Sequence, residues 1–376
     1  MDNYFIVTTP GLESITALEL QGLGISPLEI EPGGILVKGE LATLYSLNLH
    51  LRTASRILAR LGNFFRATTF PGLKLRLVAL PWERFISPGQ PISLRVTCHH
   101  SRLYHSDAVA RTLLSALEKR LGIPSPLIPA SEEDNQASQL IVVRLQDDIC
   151  TVSVDSSGEP LYKRGYRLAV AKAPLRETLA AAMLIASGWD RQSPLLDPFC
   201  GSGTIPIEAA LLARSIPPGI HRSFAFMHWS NFDSPLWKSI HGQSSIINGL
   251  IPSILASDRD AGAIRMAQAN ADRAGVLQDI EFKCQAVSSI SPPENPGWIV
   301  TNPPYGARLH QGGDLRDLYA QFGNILRQEC PGWHLSLLCS DHLLTGQLHL
   351  PLETAFSTTN GGIRVRLSRG ILPPSN

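Results

Sequence analysis

Three short runs place chemically capable residues where an apolar strand gives way to a loop. The first is Leu195-Leu196-Asp197-Pro198-Phe199-Cys200-Gly201-Ser202-Gly203-Thr204. Gly201 and Gly203 permit a sharp turn and a close approach of main chain to a ligand, which a Cβ would block. The carboxylate of Asp197 ahead of them suits a ligand that carries an ammonium group. A dinucleotide fingerprint would need a third glycine three residues after Gly203, where the chain has Pro206, and a Walker loop would need Gly-Lys-Ser/Thr, which is missing.

The second run, Leu255-Ala256-Ser257-Asp258, ends a strand in a carboxylate. Ligands of open α/β sheets lie beyond the carboxyl ends of strands, so Asp258 is placed to accept hydrogen bonds from ribose hydroxyls. Asp260 competes for that role, or instead caps the following helix. The third run is Ile299-Val300-Thr301-Asn302-Pro303-Pro304-Tyr305. Two prolines fix an extended backbone and leave its carbonyls free, so the Asn302 side-chain oxygen and the Pro303 carbonyl are placed to grip an NH₂ group together. Tyr305 offers a π-face to a base taken out of its stack. Read alone, the run is also an ordinary strand terminator.

Such residues need a scaffold that brings strand ends together. From Pro174, which fits the first turn of a helix closed by Gly188, short apolar strands alternate with helices. The sequence predicts strands at 195–196, 254–257, 298–301 and 334–338 and helices at 205–213, 261–274 and 315–328. That alternation is the pattern of a doubly wound, Rossmann-like α/β sheet, and Thr359-Asn360-Gly361-Gly362 signals a terminal antiparallel hairpin. Residues 1 to about 155 read as α+β modules. Strands are expected at 4–8, 34–39, 92–98, 140–145 and 149–154, with helices at 12–20, 41–61, 73–85 and 106–121. Pro124 to Asn135 is a Pro/Ser/acidic loop, and Glu159 to Arg167 is a polar, basic joint.

With 376 residues, 44% of them hydrophobic and 17% charged, the composition is that of an ordinary globular protein of more than one domain. No apolar run reaches the ~18 residues of a membrane span, and no export signal opens the chain. Cys98, Cys150, Cys200, Cys284, Cys330 and Cys339 are scattered, as are His221, His228 and His241, so no metal site is expected and the thiols read as reduced, in the cytoplasm. The net charge of +1 hides an asymmetry. Residues 1–50 hold one basic side chain against six acidic, whereas residues 51–120 hold twelve basic against three acidic. That is the footprint of a polyanion-binding face, unless Arg52, Arg56 and Arg60, at helical spacing, merely coat a solvated helix. Phe224, Phe226, Trp229, Phe232 and Trp237 form either a lid over the site or, as we read them, a local core.

In this order and spacing the three runs resemble the class I S-adenosylmethionine-dependent methyltransferases, in the amino-methylating branch with Asn-Pro-Pro-Tyr. The resemblance continues through Leu161-Tyr162-Lys163-Arg164-Gly165-Tyr166-Arg167, Ala173-Pro174-Leu175-Arg176-Glu177, Ile207-Glu208-Ala209-Ala210 and Pro218-Gly219. Thr9-Pro10-Gly11-Leu12-Glu13 and Ser101-Arg102-Leu103-Tyr104-His105 make the first half look like a ferredoxin-like plus THUMP arrangement. Nearly the whole chain is covered, and it is similar to the THUMP-containing RNA guanine-N2 methyltransferases of ribosomal or transfer RNA. The resemblance implies a ferredoxin-like domain at 1–60, a THUMP RNA-binding domain at 61–155, a linker at 156–172 and a methyltransferase domain at 173–376.

The same resemblance implies S-adenosyl-L-methionine as cofactor. Asp197, Gly201 and Gly203, with Pro198 and Thr204 beside them, would bind its methionine part and Asp258 its ribose. Asn302, Pro303 and Tyr305 would hold the target base, with Asn302 also in the cofactor site. After Ile280-Glu281-Phe282 the family places an Asp on the adenine amine, where this chain reads Gln285-Ala286, so cofactor affinity is expected to be lower unless Gln285 substitutes. A sulfonium methyl is already activated, so the site's task is alignment, and two acceptors on the NH₂ turn its lone pair toward the methyl. No metal or covalent nucleophile is needed. The expected partner is structured RNA, bound by a monomer, with no membrane. The alternatives are an adenine-N6 or cytosine-N4 nucleic-acid methyltransferase, a protein glutamine methyltransferase, and a non-catalytic RNA-binding module. A nicotinamide dehydrogenase ranks below these.

Overall fold

Strand pairing across two sheets organises the chain. The structure, a computed structural model, describes residues 1–129, 138–167, 175–243, 246–247, 249–293, 295–306 and 315–374. The expected helix start at Pro174, the domain boundary at Ala173 and the end of the Pro124–Asn135 loop lie outside those residues.

The first half contains β1 (Asp2–Thr8), α1 (Glu13–Gly22), β2 (Pro27–Glu31), β3 (Gly34–Gly39), α2 (Leu41–His50) and β4 (Ala54–Arg60). It continues with β5 (Phe65–Arg66), α3 (Phe70–Val78), β6 (Ile92–His99), α4 (Ser106–Leu121), β7 (Gln139–Gln146) and β8 (Ile149–Asp155). The strands form one sheet in the order β2-β3-β1-β4-β8-β7-β6, with β5 on β8. The turn at Asp147 and Asp148, with φ of 52° and 65°, closes the β7–β8 hairpin in the left-handed geometry that suits a two-residue loop.

Two expected helices are corrected. The one drawn to Leu61 stops at His50, and Ala54–Arg60 is instead a strand between β1 and β8. Its residues are buried on both faces, so pairing at both edges overrides the helical spacing of the arginines. The one drawn to Phe85 stops at Val78, ahead of Pro81, which has no N–H to continue it. The exposed edge strand β2, with Glu29 and Glu31 on it, was not expected.

The second half contains α5 (Glu177–Ala186), β9 (Leu195–Asp197), α6 (Thr204–Ala213), α7 (Ser234–Gly242), β10 (Ile254–Asp258), α8 (Ala261–Arg273) and β11 (Ile280–Cys284). It ends with β12 (Trp298–Thr301), α9 (Leu315–Glu329), β13 (His334–Cys339), α10 (His342–Gly346), β14 (Glu353–Asn360) and β15 (Ile363–Ile371). The sheet order is β11-β10-β9-β12-β13-β15-β14, parallel except for the terminal hairpin. This is the doubly wound sheet the sequence leads one to expect. Its order reverses between β9 and β12, the switch point where ligands of such sheets lie.

The two halves are locked together. Phe224, Phe226 and Trp229 are buried, but in the core of the first half rather than in a local cluster. Phe226 stacks on Tyr45 at 4.6 Å, and Trp229 Nε1 donates to Gln139 Oε1 at 2.8 Å. Glu208 of α6 is buried, and it accepts from Arg164 Nε at 3.4 Å and the Tyr166 hydroxyl at 3.1 Å, with Arg52 Nη1 at 4.0 Å. Arg164 Nη2 donates to the Arg52 carbonyl at 2.6 Å, and Arg52 Nη2 to the Ile216 carbonyl at 2.6 Å. Arg56 pairs with buried Asp155.

These contacts correct part of the expected basic face. Arg52, Arg56 and Arg164 are interior pairing groups, unavailable to a polyanion. Arg66, Arg76, Arg95, Arg102 and Arg111 remain exposed. Among the described residues no helix is long and apolar enough to cross a membrane.

Candidate active site

Asp197 ends β9, Asp258 ends β10 and Asn302 follows β12, so three parallel strands deliver the three expected groups to one edge of the sheet. Asp197 is 1% exposed. Its Oδ1 accepts from Thr301 Oγ1 at 2.7 Å and from the Phe199 amide at 3.2 Å, while its Oδ2 is buried with no partner among the described residues. Burial pushes its pKa up to about 7 against those two hydrogen bonds, and the Asp258 charge adds to the rise. A buried carboxylate oxygen without a donor is costly unless something else supplies one, and a ligand ammonium would.

Asp258 holds the turn itself. Its Oδ2 accepts from the Gly201 amide at 3.0 Å and its Oδ1 from the Asp260 amide at 2.9 Å. Carboxylate oxygens carry further lone pairs, so ribose hydroxyls can still be accepted. Asp260 resolves as the cap of α8, accepting from the Gly262 amide at 2.7 Å. The Gln285 amide donates to the Asp258 carbonyl at 3.0 Å, which sets Gln285 beside Asp258, and Ala286 is exposed.

The two glycines differ in what they do. Gly201 has φ of 52°, and a Cβ there would meet nothing within 4 Å. Gly203 has φ of 84°, and its Cβ would lie 2.9 Å from the Ala267 Cβ of α8. Gly203 is therefore needed for helix packing, a role the sequence did not suggest. Open space lies at Gly201. Thr204 is buried with its hydroxyl accepting from Arg167 Nη2 at 2.5 Å, and Pro198 is buried beside Asp197.

Asn302 has a buried Oδ1 with no hydrogen-bond partner among the described residues, and Pro303 is buried next to it. A spare, fixed acceptor at a strand end is what an NH₂ donor requires. Tyr305 departs from expectation, because the residue is only 1% exposed and presents no open π-face in this conformation.

Four supporting residues went unread in the sequence. Thr301 holds Asp197; Asn270 Nδ2 donates to the Ser202 carbonyl at 3.0 Å; the Tyr319 hydroxyl donates to the Pro304 carbonyl at 3.2 Å; Asn360 bonds Tyr305. A threonine closing the apolar run Ile299-Val300 was a legible signal; the other three lie far from the motifs they support.

The orphaned oxygens of Asp197 and Asn302 and the open space at Gly201 fit a cofactor with an ammonium group and a substrate amine. Residues 164–367 match the family described as RMKL-like, methyltransferase domain, and residues 3–58 match the RlmL ferredoxin-like domain. A Synechocystis sp. protein assigned as an RNA methyltransferase is 33% identical over 365 residues, spanning 96% of this chain and 94% of that one. A crystal structure described as a methyltransferase complexed with S-adenosylhomocysteine superposes with a TM-score of 0.87 at 27% identity, covering 100% of this chain and 98% of its own. A Listeria monocytogenes structure described as an N6-adenine-specific DNA methylase gives 0.84 at 30% identity, covering 99% and 96%.

Proposed function

This chain belongs to the RMKL-like methyltransferase family, and we propose that it methylates the exocyclic N2 amine of a guanosine in ribosomal or transfer RNA. The cofactor is S-adenosyl-L-methionine, which supplies an activated methyl group when bound. The observation that carries the reading is the buried, unpartnered Oδ1 of Asn302 at the end of β12. There it would accept a hydrogen bond from the amine together with the Pro303 carbonyl, an arrangement that would turn the amine lone pair outward for attack. Asp197 takes the ammonium of the methionine part, with Pro198 and Thr204 in the wall behind it. Asp258 would take the ribose, and Gln285, hydrogen-bonded to the Asp258 carbonyl, would stand in for an adenine contact. Tyr305 borders the target base, and its buried ring has to be uncovered before it stacks.

RNA as substrate is supported by the Synechocystis relative and by the exposed cations of the first half. We assign residues 1–60 to a ferredoxin-like unit, 61–155 to a THUMP unit, 156–172 to a joint and 173–376 to the methyltransferase, working as a cytoplasmic monomer. The Listeria relative favours a second reading, methylation of adenine N6. Mass spectrometry of RNA nucleosides from a deletion strain separates the two. Loss of N2-methylguanosine is expected; loss of N6-methyladenosine establishes the second reading. Calorimetry with S-adenosylmethionine disposes of a non-catalytic module, which would show no binding.

A further inference from the structure

Beyond the end of β13 lies a groove of about 610 Å³. Ser340, Asp341, His342 and Thr345 wall it on one side and the β14–β15 hairpin on the other. On β15, Arg364 stands opposite Thr359 and Arg366 opposite Ser357. Both arginines are exposed and line the groove. Arg369, farther along the same strand, is paired with Glu353 at 2.9 Å, whereas among the described residues Arg364 and Arg366 have no carboxylate partner. The single acidic side chain among the described lining residues, Asp341, uses its Oδ1 to cap α10, accepting from the Leu343 amide at 2.8 Å.

The groove opens at the sheet edge that carries the candidate active site. Tyr319, whose hydroxyl donates to Pro304, also lies 3.4 Å from Cys339 Sγ in the groove wall. Asn360, next to groove residue Thr359, bonds Tyr305. Alternate positions of a strand stand about 6.7 Å apart along it on one face, so the two arginines have the reach to span the step between neighbouring phosphates of a nucleic-acid strand. A guanidinium matches a phosphate with paired donors, and serine and threonine hydroxyls add further donors.

We propose that this groove binds the phosphodiester backbone of the RNA beside the target nucleotide, with Arg364 and Arg366 as phosphate contacts and Ser357 and Thr359 as supporting donors. The inference rests on the RNA reading above. It places part of the RNA affinity on the catalytic half, whereas the charge count along the sequence pointed to residues 51–120. Contacts of this kind fix the register of the RNA without reading its sequence.

Fluorescence anisotropy of a labelled RNA hairpin across a salt series tests it, using the full chain. In the double variant Arg364→Gln, Arg366→Gln the slope of log affinity against log salt is expected to fall by about 1.4 to 1.8, at roughly 0.7–0.9 per phosphate. RNA affinity falls about tenfold or more, while S-adenosylmethionine affinity and the rate at saturating RNA stay at wild-type values. Arg369→Gln, already paired with Glu353, is the control and leaves the slope unchanged. An unchanged slope in the double variant, an equal loss in Arg369→Gln, or no RNA binding by the wild-type chain overturns the groove assignment. Transfer of tritiated methyl groups to RNA by the wild-type chain reads the functional assignment separately. Absence of transfer overturns that assignment, and the anisotropy still decides the groove.

Discussion

Asn360 donates from Nδ2 to the Tyr305 hydroxyl at 3.0 Å, so the closing hairpin of the chain holds the last residue of the Asn302–Tyr305 run. Both side chains are buried. The hairpin is fixed from the other side, where Thr358 Oγ1 donates to the Pro10 carbonyl at 2.8 Å. Its main chain also crosses Gly11 so closely that a Cβ there would lie 2.0 Å from the Ser357 oxygen. The first turn of the chain, its last hairpin and the target-base run are thus one packed unit.

That link is measurable by a double-mutant cycle. Asn360→Ala and Tyr305→Phe each remove the same hydrogen bond, worth about 1 kcal/mol of folding stability. The double variant should lose less than the sum of the two, with a coupling of roughly 1 kcal/mol by denaturant unfolding. Full additivity would show that the bond contributes nothing.

Asp197 gives a pH dependence. Its carboxyl sits near 7 in the folded chain against an ordinary value of 3.8, because burial penalises the charge. In stability terms the raised group favours folding at low pH, and that contribution is lost as pH rises through about 7. Affinity for a cationic ligand runs the other way, since the ammonium wants the ionised form. S-adenosylmethionine should bind about tenfold more tightly per pH unit from 5 toward 7 and level off above it. Calorimetry across that range decides it. Asn at this position should bind weakly with no pH trend, and a trend preserved in Asp197→Asn would remove the carboxylate from the ammonium site.

The two glycines of the first run should separate. Gly203→Ala forces a Cβ against Ala267 at a left-handed φ, so a loss of about 1–3 kcal/mol in stability is expected. Gly201→Ala meets no neighbour, so it should keep most of the stability, apart from roughly 1 kcal/mol for the left-handed φ, and lose cofactor affinity instead. Thermal unfolding and calorimetry on both variants give the comparison; equal cofactor loss with equal stability would contradict it.

Glu208 anchors Arg164 and Arg52 in a buried interface between the halves. Removing it in Glu208→Ala leaves two buried guanidinium groups facing each other, which should destabilise the chain by about 3–5 kcal/mol in denaturant unfolding. A fragment beginning at Ala173 would lose both arginines and the core that covers Phe224 and Phe226, so it is expected to aggregate rather than act as an independent catalytic domain. A surface-like loss below about 1 kcal/mol for Glu208→Ala would show the pair is solvated in solution.

Local chemistry made much of this legible. Each of the three runs is a strand end followed by residues that cannot extend a strand, and strand order placed all three at one edge. The helix at Ser106–Leu121 and the strand at Gly34–Gly39 were readable because periodicity and flanking breakers agreed. The errors came where long-range partners decide. Arg52 and Arg56 look like surface charge until Glu208 and Asp155, more than 95 residues away, are brought against them. The packing requirement at Gly203 comes from α8, and the hold on Tyr305 comes from an asparagine 55 residues later.

Asn302 is where the proposed chemistry is most exposed. Its Oδ1 is buried without a partner among the described residues, and an unsatisfied buried acceptor carries a penalty that a donor would relieve. The nitrogen gains positive charge as it bonds to the methyl, and its N–H then donates more strongly to that oxygen than in the ground state, so the benefit lies mainly in the transition state. Asn302→Ala should therefore slow methyl transfer by about a hundredfold or more, the range for one preorganised electrostatic contact. RNA and cofactor affinities should change little, and relieving the orphaned acceptor should leave folding stability equal or higher. Asn302→Asp keeps an acceptor and should retain part of the rate. Single-turnover methylation at saturating RNA separates the chemical step from binding. An undiminished single-turnover rate in Asn302→Ala would remove the residue from the mechanism, and with it the main argument that the substrate atom is an exocyclic amine.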